Sequence, residues 1–322
     1  MMDSCSNLDN PKIAIVGSGA IGSYFGGCLA HSGADVNFLM RGDLAHVRKN
    51  GLSVKRGNDP AFVVGGEKCF ATTAEIGPCD LVIVAIKSTD NHSLAELVPP
   101  LLKDGTVVLC LQNGLGNLEY MGKLFGDGRI VGGIVFMGVN RVSPGCIENY
   151  NGDGGRLTVG EPRATVSGRV DKLCALMSRA GIINKASNDF QRELWQKLVW
   201  NVPFNGLSIA VDGATTDIVM NTPRLAKLAR ELMDEIQAGA RAVGIDIPDS
   251  FLDKQFGYTI ELGAYKPSSM LDFVSGRPVE VETIWGEPYR RGTAAGAQMP
   301  RLGMLYALID SLVARRHVGG NA

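Results

Sequence analysis

Histidine is scarce in this 322-residue chain: His31, His46, His92 and His317 are all it has. Neither a Ser-His-Asp arrangement nor a histidine-rich metal site can be assembled from so few. Cysteine offers no replacement. The seven residues Cys5, Cys28, Cys69, Cys79, Cys110, Cys146 and Cys174 are odd in number, scattered and without a CxxC pair. That argues against a zinc site or a disulfide framework and for small buried side chains in a reducing compartment. Neither sign of charge is in excess, since 32 Lys and Arg stand against 33 Asp and Glu for a net charge of -1. Nucleic acid and anionic membrane are therefore not expected as main partners. No apolar run approaches the ~20 residues that span a bilayer. The opening MMDSCSNLDN lacks the basic-then-apolar order of a signal peptide. A cytoplasmic protein without a metal is the expectation.

What the chain does have is enough apolar residue, 45%, to fill cores, and a length that suggests roughly two domains. The first half alternates short β-branched runs with helical spacing. IAIV (13–16), DVNFLM (35–40), DLVIVAI (80–86), TVVLCLQ (106–112) and IVGGIVFM (130–137) read as strands buried on both faces of a parallel sheet. AIGSYFGGCLAHSG and SLAELVPPLLKD read as helices between them, giving the βαβ order of a doubly wound sheet. The turn-rich NGDGGRLTVG (151–160) is expected to end that sheet. Beyond about residue 188 the segments ELWQKLVWNVPFNGLSIAV, TPRLAKLARELMDEIQAGARAV and LGMLYALIDSLVAR are long and helix-periodic. The fold class expected is α/β: a Rossmann-type doubly wound domain over 1–187, joined near AGIINKASNDF to an all-helical domain over 188–322.

Residues 13–27, IAIVGSGAIGSYFGG, place Gly17, Gly19 and Gly22 in the G-x-G-x-x-G spacing directly after a strand and at the opening of a helix. The first glycine permits the tight turn, the second a close approach to a pyrophosphate, and the third close packing of helix on strand. Gly17, Ser18, Gly19, Ala20, Ile21 and Gly22 then surround a helix N-terminus whose N–H groups attract phosphate. A site for NAD would end the second strand with an acid; here LMRGD puts Arg41 there, which favours the 2′-phosphate of NADP. Asp43, two residues on, leaves ribose binding open. Lys87 in VAIKSTD and Asn113 in LCLQNGLGN end further strands on the carboxyl edge, where ligands of such sheets bind.

In the helical half, WQKLVWNVPFNGLSIA (195–210) is mostly apolar yet carries Lys197, Asn201 and Asn205 at i, i+4 and i+8. Each step of four drifts only about 40° around a helix, so the ammonium and both amides share one stripe. Pro203 removes the N–H that would bond the Val199 carbonyl and is expected to kink the helix.

Taken together, these motifs resemble the ketopantoate reductase (2-dehydropantoate 2-reductase) family over nearly the whole chain. The most specific are the WQKLVWNVPFN helix and PSSMLDFVSGRPVEVETIWG; GGRLTVGE, LQNGLGN and VAIKS add to them. The resemblance implies a first domain holding NADPH, a helical second domain, and a 2-oxo acid between them. The family's proton-donating lysine falls on Lys197, its substrate-binding asparagines on Asn201 and Asn205, and its strand-end asparagine on Asn113. Its serine and glutamate fall on Ser268 and Glu280, with Ser269 as the other choice of serine. The family more often reads SSMLQD and TEIDYING where this chain has SSMLDF and VEVETIWG, so the substrate's side chain is left open.

Reduction of a ketone needs a hydride on carbon and a proton on oxygen. With no histidine well placed, a buried lysine of lowered pKa is the natural acid. Asn201 and Asn205 would orient substrate hydroxyls. Glu280 would hold the ammonium or a hydroxyl, and Ser268 the carboxylate. The implied activity is NADPH-dependent reduction of ketopantoate to pantoate, a step towards pantothenate and coenzyme A. A paralogue acting on another branched or aromatic 2-oxo or 2-hydroxy acid is the first alternative. A non-catalytic NADP-sensing regulator is the second; Lys197, Asn201, Ser268 and Glu280 argue against it, because sensing needs no proton donor. A homodimer is left open.

Overall fold

The computed structural model describes residues 7–163 and 167–319. Cys5 and the side chain of His317 lie outside what it describes. The other six cysteines are free thiols. By internal contacts the chain forms two units. One runs to Gln112 and resumes over Asn117–Phe190; the other consists of Asn113–Gly116 and the residues from Gln191 onward.

Among the described residues the first unit contains twelve strands in chain order: β1 (Lys12–Val16), β2 (Asp35–Leu39), β3 (Leu52–Arg56), β4 (Phe62–Val64), β5 (Cys69–Phe70), β6 (Leu81–Val84), β7 (Val107–Cys110), β8 (Ile130–Phe136), β9 (Val139–Ser143), β10 (Cys146–Asn149), β11 (Arg156–Gly160) and β12 (Ile183–Ser187). Eight of them form one sheet in the order β12-β11-β8-β7-β6-β1-β2-β5. From β5 to β8 all pairs are parallel. Counted along the chain those six strands lie 3-2-1-4-5-6, the doubly wound dinucleotide-binding order. The continuous apolar runs fit this arrangement, since Ile13, Ala14, Ile15 and Val16 are fully buried, as strands covered on both faces must be.

NGDGGRLTVG does not end the sheet. Its RLTVG is β11, antiparallel to β8, and after the helix Gly168–Arg179 the chain returns as β12, parallel to β11. The expected helix SLAELVPPLLKD is also cut short. Only Leu94–Leu97 is α-helical, flanked by 3-10 turns at Ser88–Ser93 and Pro99–Leu101, because Pro99 and Pro100 cannot supply the N–H groups a longer helix needs. A second sheet, β4-β3-β10-β9, covers the helix Ala20–His31 and was not expected from the sequence.

The second unit is helical: Phe190–Ala210, Thr216–Asn221, Pro223–Ala242, Asp249–Leu262, Ser268–Val274, Glu287–Ala294 and Pro300–Gly319, with a π-helical turn at Glu282–Gly286. Its first helix begins three residues after the boundary drawn at 187/188. Phe190, which opens it, belongs to the first unit because its ring lies over Gly132 of β8 and Gly160 of β11. The core of the second unit is built around Trp195, Val199, Val202, Phe204 and Trp285, with Leu232, Ile236, Leu302 and Ile309 from the longer helices. Among the described residues, no helix is long and apolar enough to cross a membrane.

Candidate active site

In the first unit, the turn after β1 is shaped by its glycines. Gly17 has φ +105°, and a Cβ there would lie 2.4 Å from the Ile86 nitrogen; one at Gly22 would lie 2.1 Å from the Gly17 oxygen. Gly19 differs. Its φ of -78° is ordinary and it is the N-cap of Ala20–His31, with no side-chain cap. A Cβ there would meet nothing within 4 Å. The loop therefore leaves open space in front of uncapped helix N–H groups at Ala20, Ile21 and Gly22, the cradle a pyrophosphate fills. Ser18 ties this loop to the second strand by donating to the Leu39 carbonyl at 2.8 Å. The residues fit a dinucleotide.

Arg41 follows β2 with its side chain 86% exposed and 3.9 Å from Asp90. Asp43, the competitor for a ribose, is engaged elsewhere. Its carboxylate accepts from Arg141 at 3.1 Å and from the Gly145 N–H at 3.2 Å. Lys87 is half-buried and is the N-cap of the 3-10 turn that follows β6. A chain of amides, which periodicity and spacing do not reveal, braces that turn. Gln112 donates to the Ile86 carbonyl at 3.0 Å and to Asn91 at 2.7 Å, and Asn91 donates to Asn117 at 2.9 Å.

In the second unit, Lys197 lies on the helix Phe190–Ala210, which runs through Pro203. The Val202 carbonyl, one residue before Pro203, accepts from the Trp285 indole N–H at 3.0 Å. Lys197 Nζ donates to Asn113 Oδ1 at 2.6 Å. Asn113 is delivered by the short LQNGLGN segment, which is pinned to the π-helical turn: the Leu115 N–H donates to Thr283 O at 2.9 Å. Gly114 makes that approach possible. It has φ +85°, and a Cβ would sit 2.2 Å from the Thr283 oxygen. Burial pulls the Lys197 ammonium down to about 8, with the Glu280 carboxylate pulling the other way. Glu280 is itself 5% exposed.

The remaining expected residues divide. Asn201 is half-buried, and among the described residues none makes a hydrogen bond to its side-chain amide. Asn205, expected to face substrate, is 1% exposed. Its Oδ1 accepts from the Ser269 N–H at 2.8 Å and its Nδ2 donates to Asn201 O at 3.0 Å. Ser268 is exposed and opens the helix Ser268–Val274, whereas Ser269 is buried. Of the two serines, Ser268 is the accessible one. The second unit thus brings Lys197, Asn113 and Glu280 together. The first unit separately gathers the glycine loop, Arg41 and Lys87 on the carboxyl edge of its sheet.

The family described as "Ketopantoate reductase PanE/ApbA" matches residues 13–164, and "Ketopantoate reductase PanE/ApbA C terminal" matches residues 189–313. The chain is 35% identical to the 2-dehydropantoate 2-reductase of Nostoc sp. over 317 residues, covering 97% of this chain and 98% of that one. Among solved structures it is similar to the 2-dehydropantoate 2-reductase of Geobacter metallireducens GS-15, with a TM-score of 0.89, 40% identity and coverage of 93% and 99%. The enzyme of that name from Methylococcus capsulatus gives a TM-score of 0.87 at 30% identity, covering 94% of this chain and 97% of its own.

Proposed function

The chain belongs to the ketopantoate reductase family, as an oxidoreductase acting on a CH–OH group, and from that premise we propose that it reduces ketopantoate to pantoate with NADPH. The observation that carries this is the Lys197 ammonium. It is lowered to about 8 by burial and held at 2.6 Å by Asn113, on the helix face that also presents Asn201.

When bound, the nicotinamide supplies the hydride. Everything else falls to the chain. Lys197 polarises the 2-oxo group and delivers its proton to the oxygen as that atom becomes an alcohol; a pKa near the working pH suits an acid that must give up its proton and regain it. Asn113 fixes the ammonium's position, and Glu280 keeps its charge favourable in a half-buried setting. Asn201 has the donor and acceptor to read a substrate hydroxyl, and the Ser268 hydroxyl is accessible to the carboxylate. Arg41, exposed at the end of β2, pairs with the 2′-phosphate.

The experiment is NADPH oxidation by the purified chain across a panel of 2-oxo acids that includes ketopantoate. Ketopantoate is expected to give the highest kcat/KM. Equal or better reduction of 2-oxoisovalerate, which lacks the hydroxymethyl group, would assign the chain to a different 2-oxo acid.

A further inference from the structure

Two prolines of the helical unit, Pro203 and Pro288, each withhold an N–H, and near each of them a distant group bonds the backbone. Pro203 lies inside the helix Phe190–Ala210. The carbonyl just before it, Val202 O, accepts from the Trp285 indole at 3.0 Å. Pro288 follows the π-helical turn Glu282–Gly286. There the Glu287 N–H bonds back to Glu282 O, which is the π register. The next bond in that register would run from residue 288 to Thr283 O, and a proline cannot make it. The Leu115 N–H reaches Thr283 O at 2.9 Å.

These bonds close a ring. Lys197 Nζ donates to Asn113 Oδ1, and Asn113 is next but one to Leu115, which is bonded to Thr283. Thr283 is next but one to Trp285, which is bonded to Val202 on the Lys197 helix. Val202, Leu115, Ile284 and Trp285 are all buried, so water does not compete for the backbone bonds. Gly206 makes room for the indole, because a Cβ there would lie 2.9 Å from its nitrogen. Glu280, the carboxylate that acts on the ammonium, is tied to the same turn through its own carbonyl, which accepts from the Ile284 N–H at 3.2 Å. The stretch of helix from Lys197 to Val202 spans about 7.5 Å. A change of about 10° at the prolyl turn would therefore carry Lys197 through roughly 1.3 Å. Misplacement on the order of 1 Å can cost about 10²-fold in rate.

We infer that Trp285 is a positioning residue for Lys197: by holding the Val202 carbonyl it ties the prolyl turn of the Lys197 helix to the π-helical turn that also holds the Asn113 segment, so the ammonium and the amide it bonds are set from one frame. This rests on the reading above of Lys197 as proton donor. Trp285 acts through the helix backbone.

Carbon-13 NMR of the full chain labelled at the lysine ε-carbons follows the Lys197 titration without reference to activity, with Lys197→Arg identifying its signal. The wild-type midpoint is expected at about 8. Trp285→Phe, which removes the N–H and keeps an aromatic ring, should raise the midpoint by about one pH unit, because a helix freed at Val202 lets water reach the ammonium. The falling limb of the kcat profile should move with it, and kcat near neutral pH should drop about tenfold. Benzothienylalanine incorporated at position 285, where sulfur replaces the indole N–H in nearly the same shape, should act alike and serves if the phenylalanine variant folds poorly. A Lys197 midpoint that stays or falls in these variants overturns the inference. The second arm is a double-mutant cycle on kcat with whichever 2-oxo acid the wild type reduces best. In an Asn113→Ala background Trp285→Phe should cost no more than about twofold, and additive losses overturn the inference. A chain that reduces no 2-oxo acid at all would instead remove the proposed function, and the titration would still judge the frame.

Discussion

Lys197 and Asn113 stand 84 positions apart in the chain and are joined by a 2.6 Å hydrogen bond from the ammonium to the amide oxygen. The bond restricts a side chain with four rotatable bonds to one position, at the cost of its rotamer freedom. It engages one of the three N–H groups that an ammonium can donate. The proton donor proposed for Lys197 needs that restraint.

The lowered pKa fixes the sign of the pH dependence. With Lys197 as the proposed proton donor, kcat should be level below about 8 and fall as pH rises through that value. Glu280 raises the value, so Glu280→Gln should move the falling limb to lower pH. Stability follows the opposite course. Between about 8 and the ordinary lysine value of 10.5 the unfolded chain binds this proton more tightly than the folded one. The Lys197 contribution to stability therefore increases with pH across that window. A kcat profile with no limb near 8 in the wild type would contradict the acid role.

Removing the acid should be costly and specific. Lys197→Ala is expected to lower turnover by about 10²–10⁴-fold, the usual range for a general acid, with NADPH affinity little changed. Asn201→Ala should raise KM more than it lowers kcat. Stopped-flow turnover alongside cofactor titration checks both, and near-wild-type turnover in Lys197→Ala would exclude it as proton donor.

Cofactor choice should rest on one guanidinium. Arg41→Ala is expected to weaken NADPH by about 1.5–3 kcal/mol, the scale of a charge-assisted hydrogen bond, and NADH far less. Asp43 is already occupied by Arg141 and the Gly145 N–H, so Asp43→Asn should not shift the preference between the two cofactors. Fluorescence titrations with each cofactor decide the matter; equal affinity of the wild type for both would refute the role given to Arg41.

The glycine loop permits a cleaner separation of folding from binding. At Gly19 the backbone conformation suits any residue and a Cβ meets nothing. Gly19→Ala should therefore keep the wild-type melting temperature while weakening NADPH by about tenfold or more, or ~1.4 kcal/mol. Gly22→Ala, whose Cβ would press on the Gly17 oxygen, should lower both. Thermal melts and cofactor titrations on the pair distinguish the two cases.

How much of this the sequence disclosed depends on burial. β1, β6, β7 and β8 are continuous apolar runs inside a covered sheet, and that pattern is readable without a structure. The smaller sheet is not, because LSVKR, VNRVS and CIEN mix polar and apolar residues in short, partly exposed strands. β12, INKAS, is a polar edge strand and reads as a connection. In the site, helical spacing alone put Lys197, Asn201 and Asn205 on one face. It carried no information about which amide would be taken by a backbone N–H from a segment more than sixty residues away, as Asn205 is by Ser269. The Lys197–Asn113 bond was equally invisible, since periodicity says nothing about contacts between distant stretches.

The four residues Asn113–Gly116 belong to the helical unit although they interrupt the chain of the other. Leu115 is 1% exposed within the helical unit's core. A fragment starting at Gln191 would lack it, leaving a hole of the kind that costs about 2–5 kcal/mol, and would lack the Asn113 amide that restrains the lysine. The two units are consequently not interchangeable cassettes. A chimaera that grafts a foreign first unit onto these helices must carry Asn113–Gly116 across with them, and a recombination point at residue 190 alone would separate Lys197 from the amide that holds it.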